Sequence, residues 1–230
     1  MRKRILVSIV LLAFALVNTV SAANLISNGG FENPKNTLPW QVYPSSYPGL
    51  EWKVEQGIGP LPSTSGYPDN TPTLEIQTLS AIGLVPDEGN QYAELDSYAN
   101  GNISQMVTLK QGYLYHISFA QTCRPEERGT NSKLGVYLND ILLSSTTCDE
   151  IRVWKTHTVD VTPHADIHAK LMFVDKGISV QSYGVLLDNV KVEEERINIP
   201  VPEFPTIALP IALLVGIIGA IFFMKSIKEN

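Results

Sequence analysis

The sequence predicts an all-β jelly-roll sandwich with an export signal before it and a single apolar span after it. Two observations predict the sandwich. Apolar and polar residues alternate with a period of two through most of the body, and Gly, Pro, Asn and Asp punctuate it at short intervals. A third predicts the ends: the chain opens on a basic, apolar, small-residue pattern and closes on an uncharged run followed by lysines.

Arg2-Lys3-Arg4, the apolar run Ile5 to Val17 and the small residues Ser21-Ala22-Ala23 form the three parts of a secretory signal peptide, residues 1–23, cut after Ala22 or Ala23. The body then spans residues 24–195, enough chain for one domain with a sizeable core. Alternation marks strands at Leu50 to Glu55, Thr73 to Gln77, Tyr92 to Asp96 and Val153 to Val161. Further strands fit Ile103 to Leu109, Tyr113 to Gln121, Lys133 to Leu138, Ile141 to Ser145, Ala169 to Val174 and Val185 to Val192. Asn139-Asp140 reads as a hairpin turn, because both residue types tolerate positive φ. No stretch of the body has the period of an amphipathic helix. About ten short strands on these turns describe a sandwich of the jelly-roll kind.

Two segments break the pattern. Asn33 to Gly49 carries Pro34, Pro39, Pro44 and Pro48, and Gly57 to Pro72 carries Pro60, Pro62, Pro68 and Pro72. A proline cannot donate to a ladder, so these are loops or edge segments. Long loops in a compact domain are commonly functional, and these hold Trp40, Tyr43, Tyr47 and Tyr67.

The charge of the body limits its partners. With the bases Arg2, Lys3, Arg4, Lys225 and Lys228 and the acid Glu229 set aside, the remainder carries a net charge of −10. It has no basic patch interleaved with aromatics, so nucleic acid is not an expected partner. Cys123 and Cys148 both lie in the exported part, where a pair oxidises. Closing that loop stabilises the fold by roughly 3–4 kcal/mol.

No residue pattern marks an enzyme. His164, Asp166 and His168 follow Pro163 and read as a turn, His116 lies within a strand, and no serine sits at a nucleophile elbow. Glu94 and Asp96 share one strand face, but their ~7 Å separation is what plain alternation gives. The expectation is a protein without catalysis. Flat aromatic faces with polar neighbours suit sugar rings, and the candidates are Trp40, Tyr43, Tyr47, Tyr67, Tyr98 and Asn100. Trp52 and Trp154 read as core, and Tyr92, Glu94 and Asp96 point away from Ala93 and Leu95, with either face able to be the buried one.

The tail begins with a stalk, residues 196–205. Thr206 to Met224 is uncharged and at about 1.5 Å per residue reaches roughly 28 Å, close to the hydrocarbon thickness of a bilayer. Residues 225–230 are the basic end, which places the C-terminus in the cytoplasm and the body outside. Pro202-Glu203-Phe204-Pro205, the span and the basic end resemble the PEF-CTERM sorting signal of exported archaeal proteins. That resemblance implies recognition by an archaeosortase and loss of the span on transfer to an envelope anchor.

The body also resembles a family. Asn24-Leu25-Ile26-Ser27-Asn28-Gly29-Gly30-Phe31-Glu32 opens it as galactose-binding-like jelly rolls open, and Leu187-Asp188-Asn189-Val190-Lys191-Val192 closes it as they close. Gly89 to Asp96, Ile103-Ser104-Gln105 and Gly112 to Phe119 are similar to successive strands of the domain-of-unknown-function 642 family. The resemblance implies a jelly roll akin to carbohydrate-binding modules, displayed on the cell envelope and taking a polysaccharide or glycoprotein. It also implies a structural calcium on Glu32 and Asp188, tying the first strand to the last. A structural, S-layer-associated role without sugar specificity is the alternative.

Overall fold

The structure, a computed structural model, describes residues 23–56, 72–96, 101–124, 129–177 and 183–197, together with Ile217. The chain divides into two units, Met1–Glu195 and Arg196–Asn230. The signal peptide, Tyr67, Tyr98, Asn100, the sorting motif Pro202–Pro205 and all of the apolar span but Ile217 lie outside the described residues. Among the described residues no helix is long and apolar enough to cross a membrane.

Eleven strands are described: β1 (Trp40–Pro44), β2 (Lys53–Gln56), β3 (Thr73–Thr78), β4 (Gln91–Glu94), β5 (Gly101–Leu109), β6 (Tyr113–Cys123), β7 (Gly129–Leu138), β8 (Ile141–Cys148), β9 (Lys155–Val161), β10 (Ile167–Asp175) and β11 (Val185–Arg196). A single turn of helix, α1 (Leu79–Ile82), follows β3, capped by Thr78 and closed by Gly83 at φ 71°. The strands form a six-stranded sheet in the order β1-β3-β4-β11-β6-β9 and a five-stranded sheet in the order β2-β5-β10-β7-β8. The described strand pairings are antiparallel, and the result is a jelly-roll β-sandwich.

The core follows from the alternation. Leu74 and Ile76 of β3, Ala93 of β4, Tyr115, Ile117 and Phe119 of β6 and Leu187 of β11 meet Ile103, Val107, Leu134, Val136, Leu171 and Phe173 of the other sheet. Phe173 stands edge-on to both Trp52 and Phe119, at centroid distances of 6.2 and 5.3 Å, a geometry that aromatic quadrupoles favour. Asn139 and Asp140 adopt φ of 46° and 65° and turn β7 into β8. The proline-rich stretch before Gly49 supplies β1, an edge strand, in keeping with prolines that cannot serve a central one.

Two ties close the sandwich. Asn24 bridges to Glu193 and Leu25 donates its N–H to Val192 O at 2.9 Å, so the first and last segments of the domain lie side by side. At another edge Cys123, the last residue of β6, is bonded to Cys148, the last of β8, with Cα atoms 5.7 Å apart. The disulfide therefore links one sheet to the other. Beside it Thr146 Oγ1 donates to Gln121 Oε1, a second bond between the sheets.

Candidate functional site

The outer face of the six-stranded sheet carries the most concentrated chemistry. Because Leu74, Ile76 and Ala93 turn inward, Glu75, Gln77, Tyr92 and Glu94 turn outward, and the register sets Glu75 opposite Glu94 and Gln77 opposite Tyr92. All four side chains are nevertheless buried. Gln77 Nε2 donates to Glu75 Oε1 at 2.7 Å and to Glu94 Oε2, while Tyr92 donates its hydroxyl to Gln77 Oε1 at 3.0 Å. Arg124, just past the end of β6, places Nη1 2.6 Å from Glu94 Oε2, and the Tyr183 ring covers its guanidinium at 4.7 Å.

Gly184 completes the arrangement. Its N–H donates to Glu94 Oε1 at 2.9 Å. A Cβ there would stand 2.4 Å from Asp96 Cβ and 2.7 Å from Asp175 Oδ2, so only glycine lets β11 start between these carboxylates. Asp175 in turn accepts from Gly177 N at 2.7 Å and Val185 N at 3.2 Å.

Burial pushes the Glu94 carboxyl well up, the Glu75 charge pushes it further, and Arg124 pulls it back. Burial also raises Glu75, against the hydrogen bond from Gln77 and the Arg124 charge. The Tyr92 hydroxyl is raised by burial and by Glu94. Two acids, one amide and one guanidinium thus form a closed polar ladder, in which each member fixes the rotamer of the next.

A cover from distant sequence explains the burial of Tyr92. Tyr92 packs with Leu84 and Leu186 beneath Ile82 and Trp154, in an apolar cluster separate from the main core. Trp154 stands edge-on to Tyr92 at 5.7 Å and donates Nε1–H to Val85 O at 2.8 Å, and Arg152 donates to Ile82 O at 2.8 Å. Trp154 precedes β9 rather than belonging to it, so it packs in this second cluster and not in the main core as its alternation suggested. Trp52 is core, as expected. The acid, amide and guanidinium ladder had no signal in the sequence beyond the phase of Tyr92 and Glu94, because Arg124 and Gly184 reach it only through the sheet order.

The aromatic candidates separate. Trp40 is 48% exposed and lies on the outer face of β1, opposite Gln77 in the register. Tyr43 is in the core, donates its hydroxyl to Asn36 Oδ1 at 2.8 Å and offers no face to a sugar; alternation along β1 turns it inward. Tyr47, 44% exposed, packs edge-on against Tyr43 at 4.6 Å.

Glu32 and Asp188 are brought to one loop. Glu32 Oε1 accepts from Asn90 N at 2.6 Å and Gln91 N at 2.9 Å, and Gly89, at φ 64°, passes so close that a Cβ would meet that oxygen at 2.3 Å. Asp188, fully buried, accepts from Glu88 N at 2.9 Å and Asn189 N at 2.7 Å. Burial pushes its carboxyl up to about 7, against these amide bonds. The neighbouring Asn189 donates Nδ2–H to Asp87, while its buried Oδ1 accepts no hydrogen bond. Among the described residues no three His, Cys, Asp or Glu side chains gather as a metal cluster.

The histidines take local partners. His116 sits between Asp160, 2.7 Å from Nδ1, and Glu195, 3.2 Å from Nε2, and both hydrogen bonds raise its pKa. His168 pairs with Thr108, and Asp166 accepts from Gln111 N.

The fold is shared with solved structures. The Stig cyclase Fisc from Fischerella sp. TAU, in complex with (3Z)-3-(1-methyl-2-pyrrolidinylidene)-3H-indole, matches at TM-score 0.55 and 18% identity, over 76% of this chain and 99% of that one. A cyclase from the same organism in complex with 4-(1H-indol-3-yl)butan-2-one matches at TM-score 0.56 and 18% identity, over 76% and 98%. TmCBM61 in complex with beta-1,4-galactotriose matches at TM-score 0.42 and 16% identity, over 76% and 100%. For the two cyclases, at these identities, the likeness is one of fold. No protein-family model matches the chain, and no curated protein is detectably similar to it in sequence.

Proposed function

We propose that the domain is a non-catalytic binding module for a cell-surface carbohydrate or glycoprotein, with Trp40 as its stacking platform. One observation carries this reading: a large ring stands open on an edge strand, opposite the polar ladder of the same sheet face. An exposed indole offers a flat surface for sugar C–H groups. Tyr47, exposed beyond the end of β1, is a second, separate aromatic surface of the same proposal. Tyr67, Tyr98 and Asn100 belong to the same proposal. A glycan array probed with the exported protein tests it, with Trp40→Ala expected to abolish the signal while the melting temperature holds. Equal binding by the variant, or no glycan bound, would leave the structural envelope role.

The proposal places the domain outside the cell, anchored through the PEF-CTERM-like tail, with an archaeosortase removing residues 206–230. Intact mass of the membrane-extracted protein reads this directly, and a retained tail would mean a permanent single-pass anchor. Calcium on Glu32 and Asp188 is the remaining part. The donors at hand are carboxylate and amide oxygens, including the unbonded Asn189 Oδ1, and these suit a hard cation. Chelation should then lower the melting temperature of the protein but not that of Asp188→Ala.

A further inference from the structure

The chain has a single Asn-x-Ser/Thr tripeptide, Asn102-Ile103-Ser104. In an exported protein this spacing is the acceptor pattern for an N-linked glycan, provided the asparagine ends at the surface. The three residues are the second to fourth of β5. Ile103 lies in the core, so alternation turns Asn102 and Ser104 together to the outer face of the five-stranded sheet.

That face lies open. The register sets Glu55 of β2 and Val174 of β10 on either side of Asn102, and Lys53 and Met172 on either side of Ser104. The Lys53 side chain is 66% exposed, and Met106, next along the same face of β5, is 52% exposed. The outer face of the other sheet has Ile82 and Trp154 packed over it, whereas among the described residues no apolar cluster covers this one.

The Asn102 side chain contributes no hydrogen bond to the fold among the described residues. Asparagine is depleted in strands, and here Oδ1 is buried without a donor, a cost to the native state. The residue as a whole is only half-buried. With its oxygen turned inward, the amide nitrogen is its outward polar end, and that is the atom that carries an N-linked glycan.

We infer that Asn102 is an N-glycosylation site. The inference rests on the export proposed above, which brings the chain to lipid-phosphate-linked oligosaccharide on the outer side of the membrane. In the transfer, Asn102 Nδ2 bonds to the anomeric carbon of the donor sugar as the bond from that carbon to the phosphate oxygen breaks. The lipid phosphate leaves with the electron pair, and the amide proton passes to a base of the transferase. Ser104 is 3% exposed and β5 is paired on both sides, so transfer precedes closure of the sheet. The finished glycan then stands on the five-stranded sheet, while Trp40 belongs to the other sheet and stays free for its ligand.

The test uses the full chain purified from the membranes of its own organism. Mass spectrometry should find hexose or N-acetylhexosamine masses on the peptide that contains Asn102. Asn102→Gln, which removes no hydrogen bond, and Ser104→Ala should each give the bare peptide. Ser104→Thr, which keeps the hydroxyl, should retain the glycan, and circular dichroism should be alike for all three variants. Labelling of the domain's lysines on intact cells by a membrane-impermeant amine reagent reads export separately. A bare Asn102 on protein that labels overturns the inference and leaves export standing, and a bare Asn102 on protein that does not label overturns both. A sugar that stays on the Asn102 peptide in Ser104→Ala also overturns it.

Discussion

Arg124 and Glu94 form an ion pair of 2.6 Å in which the carboxylate has no exposed surface and the guanidinium side chain is 14% exposed. Removing one partner of such a pair strands the other in a low dielectric, and that is where the cost lies. Arg124→Met should therefore destabilise the domain by about 3–5 kcal/mol. Glu94→Gln should restore part of that loss when added to Arg124→Met, because the stranded charge is gone. Denaturant melts of the two single variants and the double variant measure the coupling. Strict additivity would show that the pair does not hold the polar ladder together.

Asp188 should impress an inverted pH profile on stability in calcium-free buffer. Its folded pKa of about 7 lies above the ordinary aspartate value, so between roughly pH 4 and 7 the native state keeps a proton that the unfolded chain has released. Stability then falls as pH rises through that window, by on the order of 4 kcal/mol, and is flat above it. Asp188→Asn should flatten the slope, whatever its effect on the absolute melting temperature. A variant with the wild-type slope would show that another group titrates there. Bound calcium would stabilise the ionised form and cancel the fall, so the same titration with added calcium reads the proposed site a second way.

The Cys123–Cys148 bond joins the two sheets and closes a 25-residue separation. Cys148→Ser should lower stability by roughly 3–4 kcal/mol in the chain-entropy model. Thermal melts of oxidised wild type, reduced wild type and the variant check it. If reduction costs nothing, Thr146 and Gln121 with the packing around them already hold that edge.

Trp40 and Tyr43 show how far the sequence could be read. Three positions apart in a proline-rich stretch, both looked like loop aromatics, yet five residues of that stretch form β1 and alternation sends Tyr43 into the core. The strand signal there was too short to outweigh the prolines on either side. Elsewhere the period of two sufficed: Asn139 and Asp140 turn the chain at positive φ, and Leu74 and Ile76 face inward in phase, while Ala93 and Leu95, whose alternation left either face open, also turn to the core. Local pattern gives phase, but it does not say what lies above a face. The phase of Tyr92 left its burial open because the segment that covers it, from Arg152 to Trp154, comes some sixty positions later and is held by Val85 and Ile82. Trp154 itself read as a strand residue of the main core for the same reason.

β11 is an interior strand of twelve residues, with β4 on one side and β6 on the other, and β1 lies three strands away in the same sheet. Whatever holds the chain from its C-terminal side pulls along the length of β11. Ladder hydrogen bonds run across the strands, so such a pull loads them in shear instead of peeling them one by one. A ligand gripped at Trp40 would pass its drag through β3 and β4 to β11 without crossing the sandwich. Under the proposed anchoring and binding, that path stays within one sheet, and the Cys123–Cys148 bond from β6 to β8 is the covalent point at which load would pass to the other.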